Sequence, residues 1–228
     1  MKRVLVWDLP TRVCHWLLVL ACAAAYVSGE TGGNWLIWHG RIGLLIVGLI
    51  TFRLVWGFTG STHARFRNFV RGPAAIRDYL AGNWRGLGHN PLGALSVIGL
   101  LAALALQVGS GLGARNDDTG HAGPLHPLLG NAVGELLTRL HHQAFDVLLI
   151  LVVLHVLAVL FYTHVRKDNL VQPMLTGHKD VSTGESARGG GLPAFIVALL
   201  IAGAVTWGAA STWIDQPAPP PPTAVPAW

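Results

Sequence analysis

The sequence predicts an all-α integral membrane protein, and two observations carry this prediction. Of the 228 residues, 52% are hydrophobic and only 12% are charged, whereas a soluble domain carries about 25% charged residues. Five apolar stretches account for the difference, each close to the ~20 residues that a spanning helix needs. They cover residues 11–29, 35–58, 92–114, 141–164 and 192–213. None shows the period-two alternation of a membrane barrel strand, so helices are expected.

Lysine and arginine side chains are unevenly divided between the two sides of these predicted spans. If the N-terminus is cytoplasmic, only Arg41, Arg115 and Arg139 of the 16 basic residues lie on the periplasmic side. The positive-inside rule therefore predicts a cytoplasmic N-terminus and, after five spans, a periplasmic C-terminus. The same bias accounts for the net charge of +5. Membrane lipid is the expected surrounding, and the charge gives no reason to expect nucleic acid.

The connections between the spans differ in length and character. The second, residues 60–91, is long and basic, and residues 73–80 within it predict a short amphipathic surface helix. Residues 115–139 form the third connection, on the periplasmic side. Gly189, Gly190 and Gly191 predict a flexible hinge before the fifth span, and residues 215–228 predict an extended, proline-rich periplasmic tail. The expected units are a four-helix domain over residues 1–180, a hinge and fifth helix over 181–214, and the tail.

Two histidines of the fourth span, His141 and His155, stand fourteen positions apart. At about 100° per residue, fourteen steps complete four turns less about 40°, so both imidazoles leave nearly the same helix face. Their separation along the axis is about 21 Å, most of the hydrocarbon thickness. Polar side chains inside a membrane are costly and are usually functional. This spacing therefore predicts two ligands, one for each of two cofactors stacked across the bilayer.

Two further intramembrane histidines match these in depth. In the predicted topology His15 lies near the cytoplasmic face with His155, and His39 lies near the periplasmic face with His141. Two neutral imidazoles for each iron predict two six-coordinate haem b groups. A lone intramembrane histidine is more often a packing or hydrogen-bonding residue, but four that match in depth favour ligation. His142 competes with His141, although it is turned about 60° away from the face of His155.

Two arginines are candidates for binding haem propionates. Arg53 is fourteen residues after His39, so it lies on the same face of the second span near the cytoplasmic haem. Arg41 is placed to do the same for the periplasmic haem. The alternative is that both arginines only anchor the ends of the span. Most histidines of the connections are expected to be solvated.

The motifs around these residues resemble the bacterial cytochrome b561 and nickel–iron hydrogenase cytochrome b family. The resemblance covers about residues 1–180, and its motifs fall into five groups. They are Trp7-Asp8, Thr11-Arg12 and His15-Trp16; His39, Gly43, Arg53 and Trp56-Gly57; Gly88-His89-Asn90-Pro91-Leu92-Gly93; His141 and His155; and Asn169-Leu170, Met174 and Thr176-Gly177.

This resemblance implies a four-helix dihaem bundle in the bacterial inner membrane, to which the present chain adds a fifth C-terminal transmembrane helix. It implies electron transfer between quinone and a periplasmic redox protein or subunit, such as a cytochrome c or a hydrogenase. It supports the same two pairs of haem ligands, and bis-histidine ligation favours electron transfer over oxygen chemistry at the iron. The alternatives are a membrane-anchoring electron-transfer subunit without its own quinone site and, in another class, a haem or metal transporter. Whether the chain is itself a quinol/quinone oxidoreductase stays open.

Overall fold

The computed structural model describes residues 1–84, 86–117 and 119–214. The predicted tail, residues 215–228, lies outside the described residues. Ten elements follow one another along the chain: β1 (Lys2–Leu5), α1 (Leu9–Thr31), α2 (Trp35–Thr59), α3 (Phe66–Phe69), α4 (Pro73–Leu80), α5 (Pro91–Gly111), α6 (His126–His164), α7 (Val171–Thr176), β2 (His178–Val181) and α8 (Gly191–Ile214).

Five of these helices, α1, α2, α5, α6 and α8, are long and apolar enough to cross a membrane. The prediction of a five-span, all-helical membrane protein is therefore confirmed. The fourth span begins earlier than expected, because α6 starts at His126, inside the predicted connection over residues 115–139. Gly130, with φ of 75°, interrupts its first turns. From there to His164 the helix is continuous, so His141 and His155 do share one helix.

Local sequence explains where two of the spanning helices begin. The Asp8 carboxylate accepts a hydrogen bond from the Thr11 backbone N–H at 2.7 Å, which caps α1. Asn90 caps α5 in the same way through the Gly93 N–H, also at 2.7 Å. Both helices carry proline in their first turn, where the missing N–H costs no helical hydrogen bond.

The spanning helices pack in a row rather than as a closed bundle. α1 packs against α2, α2 against α5, and α5 against α6, while α8 covers another face of α2. Among the described residues, α6 makes no extended backbone contact with α1 or α2. Side-chain rings meet across this separation instead, as the stacked Tyr26 and Phe145 do at 5.6 Å. A gap bordered by rings therefore separates α6 from α1 and α2.

The first and third connections between the spanning helices lie at one end of the molecule, and the second and fourth lie at the other end. The end that carries β1, the connection from α2 to α5 and the segment from α6 to α8 is called the N-terminal end here. The other, called the opposite end, carries the α1–α2 turn and the connection from α5 to α6. At the N-terminal end β1 pairs with β2 in an antiparallel sheet, with Lys2 opposite Val181 and Leu5 opposite His178. The sequence did not predict this sheet, because its two short strands are about 175 residues apart.

The long connection of the N-terminal end contains α3 and α4, and the predicted amphipathic helix over residues 73–80 is confirmed as α4. It is tied to the bundle by a hydrogen-bonded bridge. The Asn90 side-chain amide donates to the Tyr162 hydroxyl at 3.2 Å and contacts the Tyr79 hydroxyl at 3.4 Å. Burial raises the pKa of Tyr79, with Arg166 and Asp168 acting in opposite directions.

The segment before α8 crosses the N-terminal end and contacts it at several points. The Thr62 N–H donates to the Arg188 carbonyl at 2.8 Å, and the Ala187 N–H donates to the Leu5 carbonyl at 2.7 Å. The three glycines expected to form a hinge have φ values of 87°, 82° and 66°, which favour glycine. A Cβ at Gly190 would stand 2.8 Å from Trp56. Beyond this segment, α8 packs through Phe195 against Phe52 and Trp56 of α2.

Candidate functional site

The structure brings His39 of α2 and His141 of α6 together at the opposite end of the gap. Their ring centroids are 6.0 Å apart and the ring planes are nearly perpendicular, at 85°. Both side chains are half-buried, whereas the neighbouring His142 is exposed. The geometry of the gap therefore favours His141 over His142 as the partner of His39.

Backbone carbonyls fix the orientation of both rings. His39 Nδ1 lies 2.8 Å from the Ala25 carbonyl oxygen, and His141 Nδ1 lies 2.9 Å from the Gln107 carbonyl oxygen. A carbonyl only accepts, so each Nδ1 donates its proton and each Nε2 keeps a lone pair. A metal-bound histidine typically donates the proton of its other ring nitrogen to a carbonyl or carboxylate in this way. The Gln107 side-chain amide nitrogen lies 3.1 Å from His141 Nε2 and donates to that lone pair.

Glycines make room for the two rings. A Cβ at Gly29 would stand 3.0 Å from His39 Nδ1, and a Cβ at Gly111 would stand 2.9 Å from His141 Cε1. Gly43 lies one turn after His39, and within the described structure no atom comes within 4 Å of the place where its Cβ would be. The rings therefore fit closely against α1 and α5, with open space beside Gly43.

His15 of α1 and His155 of α6 form the second pair, nearer the N-terminal end. Both are half-buried. His15 Nδ1 is buried without a hydrogen-bond partner in the described structure. Trp16, the next residue, contacts the His15 ring edge-on at 5.1 Å and donates its Nε1–H to the Met174 carbonyl at 3.2 Å. The Trp16 hydrogen bond ties this part of α1 to α7.

Two histidines from the long connection border this second pair. His89 packs between Trp7 and Phe69, with centroid distances of 4.6 and 4.8 Å. Burial, reinforced by the positive charges of Arg53, His155, His63 and His15, lowers the pKa of His89 from 6.5 to about 3. Burial also lowers the pKa of His63, against the influence of the Glu185 carbonyl, and His63 Nε2 is buried without a partner among the described residues. His89 is neutral near pH 7.

The two arginines proposed from the sequence occupy different surroundings. Arg53 is buried, with its guanidinium 5.3 Å from the Phe66 ring and one long hydrogen bond, 3.4 Å, to the Ala64 carbonyl. Within residues 1–84, 86–117 and 119–214, no carboxylate forms an ion pair with it. Arg41 is exposed, 5.0 Å from the Trp38 ring. Arg53 therefore faces the N-terminal-end pair, while Arg41 rests on its own helix.

The residues of the gap fit two haem groups. Four imidazoles from α1, α2 and α6 border it, two of them with Nε2 lone pairs fixed by backbone carbonyls. Most of the buried polar atoms that lack a partner among the described residues lie at the N-terminal end, including His15 Nδ1, Arg12 Nε, Arg65 Nε, His63 Nε2, Thr11 Oγ1 and Ser61 Oγ. Such atoms are costly unless a ligand or water satisfies them, and several are cationic or can donate. This donor set suits the carboxylates of haem propionates.

Sequence reasoning missed several residues of this site. Gln107 is the only amide in α5, and an amide at membrane depth is itself a signal of function. Gly29 and Gly111 carry no signal of their own, because glycine is frequent in spanning helices. His89 and His126 were expected to be among the solvated histidines. Instead, His89 is half-buried between Trp7 and Phe69 at the N-terminal end, and His126 is buried with its Nδ1 donating to the Gly113 carbonyl at 3.2 Å.

Comparison with known proteins identifies the family of the chain. The sequence model of the prokaryotic cytochrome b561 family matches residues 6–177, which include α1, α2, α5, α6 and all four histidines of the gap. Neither a curated protein nor a solved structure matches the chain. Membership of this family implies haem binding and electron transport in a helical membrane bundle. The chain belongs to the prokaryotic cytochrome b561 family.

Proposed function

We propose that this chain is a dihaem electron carrier in which His39 with His141, and His15 with His155, are the axial ligands of two haem b groups. Members of this family typically bind two haem b. The observation that carries the residue assignment is the facing pair His39 and His141, whose Nδ1 atoms donate to carbonyls and whose Nε2 atoms therefore keep the lone pair that binds iron; at His141 this lone pair accepts a hydrogen bond from the Gln107 amide in the described structure. Haem supplies one-electron oxidation and reduction at its iron.

The chain's own residues have distinct roles in this proposal. The carbonyls of Ala25 and Gln107 hold the opposite-end imidazoles in the tautomer that binds a metal. Arg53 provides a buried positive charge for a propionate of the N-terminal-end haem. Arg41 is proposed to bind a propionate of the opposite-end haem, which requires its side chain to leave Trp38. The α6 spacing separates the two ligands on that helix by about 21 Å along its axis.

The orientation of the chain is part of the same proposal. The N-terminal end carries most of the basic residues, which supports a cytoplasmic position for it in the bacterial inner membrane. The opposite-end haem then faces the periplasm, where a redox protein or subunit meets it. Residues 1–180 form the dihaem unit in this proposal, and residues 181–214 add a helix on the face of α2 turned away from the gap.

Quinone is proposed to react near the N-terminal-end haem. His63 and His89 lie there, and their lowered pKa values favour neutral imidazoles, whose ring nitrogens can hydrogen-bond to a quinone oxygen or a quinol hydroxyl. The opposite end has an apolar cleft between α1 and α2, lined by Ala24, Val27, Ser28, Trp35, Trp38 and Ile42. Its one hydroxyl, on Ser28, already donates to the Ala24 carbonyl at 2.7 Å. The polar side chains at the N-terminal end therefore favour that end as the place where quinone binds.

Haem stoichiometry and spectra of purified variants test the assignment. His155→Ala is expected to lose the N-terminal-end haem and keep the other, and His141→Ala to do the reverse. His142→Ala is the matched control and should keep two haems per chain. A His155→Ala protein that keeps two haems with unchanged spectra would overturn the ligand pairs. Quinol-dependent reduction of the haem in the isolated chain tests the quinone site, and its absence would favour the anchoring subunit.

A further inference from the structure

Residues 66–84, called the basic segment here, place three exposed arginines at the N-terminal end. They are Arg67 on α3, Arg71 just after it and Arg77 on α4. Within the described part of the chain, none of the three forms an ion pair. The Arg71 guanidinium lies 5.0 Å from the Trp84 ring, and this contact joins the part of the segment before α4 to the part after it. The segment carries one exposed carboxylate, Asp78, against these three arginines, so it presents a net positive charge.

Exposed apolar side chains accompany these arginines. Leu80 is 70% exposed and Val70 is 47% exposed, and no residue of α4 is buried. The segment follows closely after α2, whose penultimate residue Phe58 is 73% exposed. It consequently starts at the depth where a spanning helix leaves the hydrocarbon core. Exposed leucine and valine beside arginine, with a half-buried tryptophan, are the composition of a segment that lies in the membrane interface.

We propose that the basic segment binds the phosphate headgroups of anionic phospholipids at the surface of the leaflet on the N-terminal side. The three arginines supply charge complementarity, and Val70 and Leu80 reach the acyl boundary beside them. Clusters of basic residues directly outside a spanning helix are attracted to anionic lipid surfaces. This proposal does not depend on the haem ligands or on the direction of electron transfer.

Contacts connect the basic segment to the N-terminal-end pair. Phe66 of α3 packs against the Arg53 guanidinium, and Phe69 of α3 packs against His89. A headgroup bound by the arginines thus holds the segment that covers the buried end of the site. The opposite-end pair has no contact of this kind with the described residues of the segment.

Native mass spectrometry of the delipidated, detergent-solubilised full chain tests the proposal. The protein is titrated with phosphatidylglycerol, with phosphatidylcholine and with inorganic phosphate in separate arms. The test variant is Arg67→Gln/Arg71→Gln/Arg77→Gln. The matched control, Lys2→Gln/Arg3→Gln/Arg139→Gln, also removes three exposed positive charges. Haem content of each protein shows that it is folded.

Each basic residue near an anionic surface contributes about fivefold to binding, so the test variant should bind phosphatidylglycerol roughly one to two orders of magnitude more weakly. The control should lose clearly less affinity than the test variant, because Arg139 lies at the opposite end and Lys2 and Arg3 lie outside the basic segment, and phosphatidylcholine should bind weakly to all three. Equal losses in both variants would overturn the proposal, because they would show a general charge effect. Displacement of phosphatidylglycerol by millimolar inorganic phosphate would assign the site to free phosphate instead of lipid.

Discussion

The two proposed haem sites differ in how the protein holds them. At the opposite end, His39 and His141 are fixed by backbone carbonyls and by glycines on the adjacent helices. At the N-terminal end, His15 Nδ1 has no partner among the described residues, and the surroundings are a buried arginine and two histidines from a long connection. The first site is specified by helix packing alone. The second depends on charge and on segments outside the membrane, so the two should respond to different perturbations.

Gly111→Leu should have the largest effect and should act on one site only. A Cβ at this position already meets His141 Cε1 at 2.9 Å, and a leucine side chain cannot fit beside the ring without displacing it. We expect one haem per chain, with the N-terminal-end haem retained. Gly109→Leu is the matched control on the same helix, because the described structure leaves open space at that position. Two haems in Gly111→Leu, measured by pyridine haemochrome, would contradict the proposed packing.

Replacement of Arg53 and replacement of Arg41 should change the midpoint potentials of the two haem groups by different amounts. Arg53 is buried and unpaired, so Arg53→Gln removes a positive charge that favours the reduced iron. The midpoint potential of the N-terminal-end haem should fall by roughly 50–100 mV. This is the effect of a unit charge about 8 Å away at an effective dielectric constant near 20. Arg53→Lys keeps the positive charge, so this variant should keep most of the original midpoint potential. Arg41→Gln, at an exposed position, should shift the opposite-end potential by less than about 20 mV because solvent screens the charge.

Redox titration followed at both haem bands measures these shifts. Equal shifts in the Arg53→Gln and Arg41→Gln proteins would show that burial does not distinguish the two arginines. A shift of the opposite-end haem in Arg53→Gln would place the guanidinium at the wrong site.

Acid should weaken the N-terminal end more than the opposite end. The pKa of His89 is lowered from 6.5 to about 3 in the folded chain, so the unfolded chain takes up the proton first. The stability that neutral His89 contributes is present above about pH 6.5 and is lost as the pH falls toward 3, with a slope of at most about 1.4 kcal/mol per pH unit. His63, whose pKa is also lowered, acts in the same direction. The N-terminal-end haem should therefore be released first.

Haem retention against pH in His89→Gln measures this contribution. The variant should lose the N-terminal-end haem over a shallower pH profile than the original chain, and His178→Gln, at the N-terminal-end sheet, is the control. Identical profiles in the original chain and in His89→Gln would show that His89 does not link proton uptake to this site.

The sequence predicted the periodic and apolar parts of this molecule. Five spans, α4 and the placement of His141 and His155 on one helix all follow from local patterns of hydrophobicity and spacing. The β1–β2 sheet was not predictable, because four-residue strands carry little signal and their pairing is set by the folded bundle. The early start of α6 was missed because its first turns are polar, and polar residues near a span favour a connection in any hydropathy argument.

Within the site, the proposed ligands could be named from the sequence, and the groups that support them could not. A histidine at membrane depth is conspicuous in the sequence, whereas the carbonyls of Ala25 and Gln107 belong to residues whose side chains do not indicate the contact. The burial of Arg53 and the exposure of Arg41 also depend on which faces of α2 other elements cover. Phe66 and Ala64 contact Arg53 from the following connection, and no spacing rule places them there.

Gln107 offers the smallest and most selective change at the opposite end. Its backbone carbonyl holds His141 Nδ1, and that contact survives any side-chain substitution. Its side-chain amide donates to His141 Nε2 at 3.1 Å and so competes with iron for the same lone pair, while Gln107 Oε1 is buried without a partner in the described structure. Gln107→Leu removes both the competing donor and the unsatisfied oxygen. We expect the opposite-end haem to bind about fivefold more tightly, since one hydrogen bond contributes about 1 kcal/mol.

The rate of haem transfer to apomyoglobin measures this difference, and the N-terminal-end haem of the same protein is its internal reference. Ser110→Ala is the control on the same helix. The Ser110 hydroxyl already donates to the Leu106 carbonyl at 2.7 Å, and its 3.3 Å contact with His141 Nδ1 is longer than that of the Gln107 carbonyl. Its loss should leave both rates unchanged. Faster loss of the opposite-end haem from Gln107→Leu would mean that the amide supports bound haem, and that this site, like the N-terminal-end site, depends on polar side chains as well as on backbone.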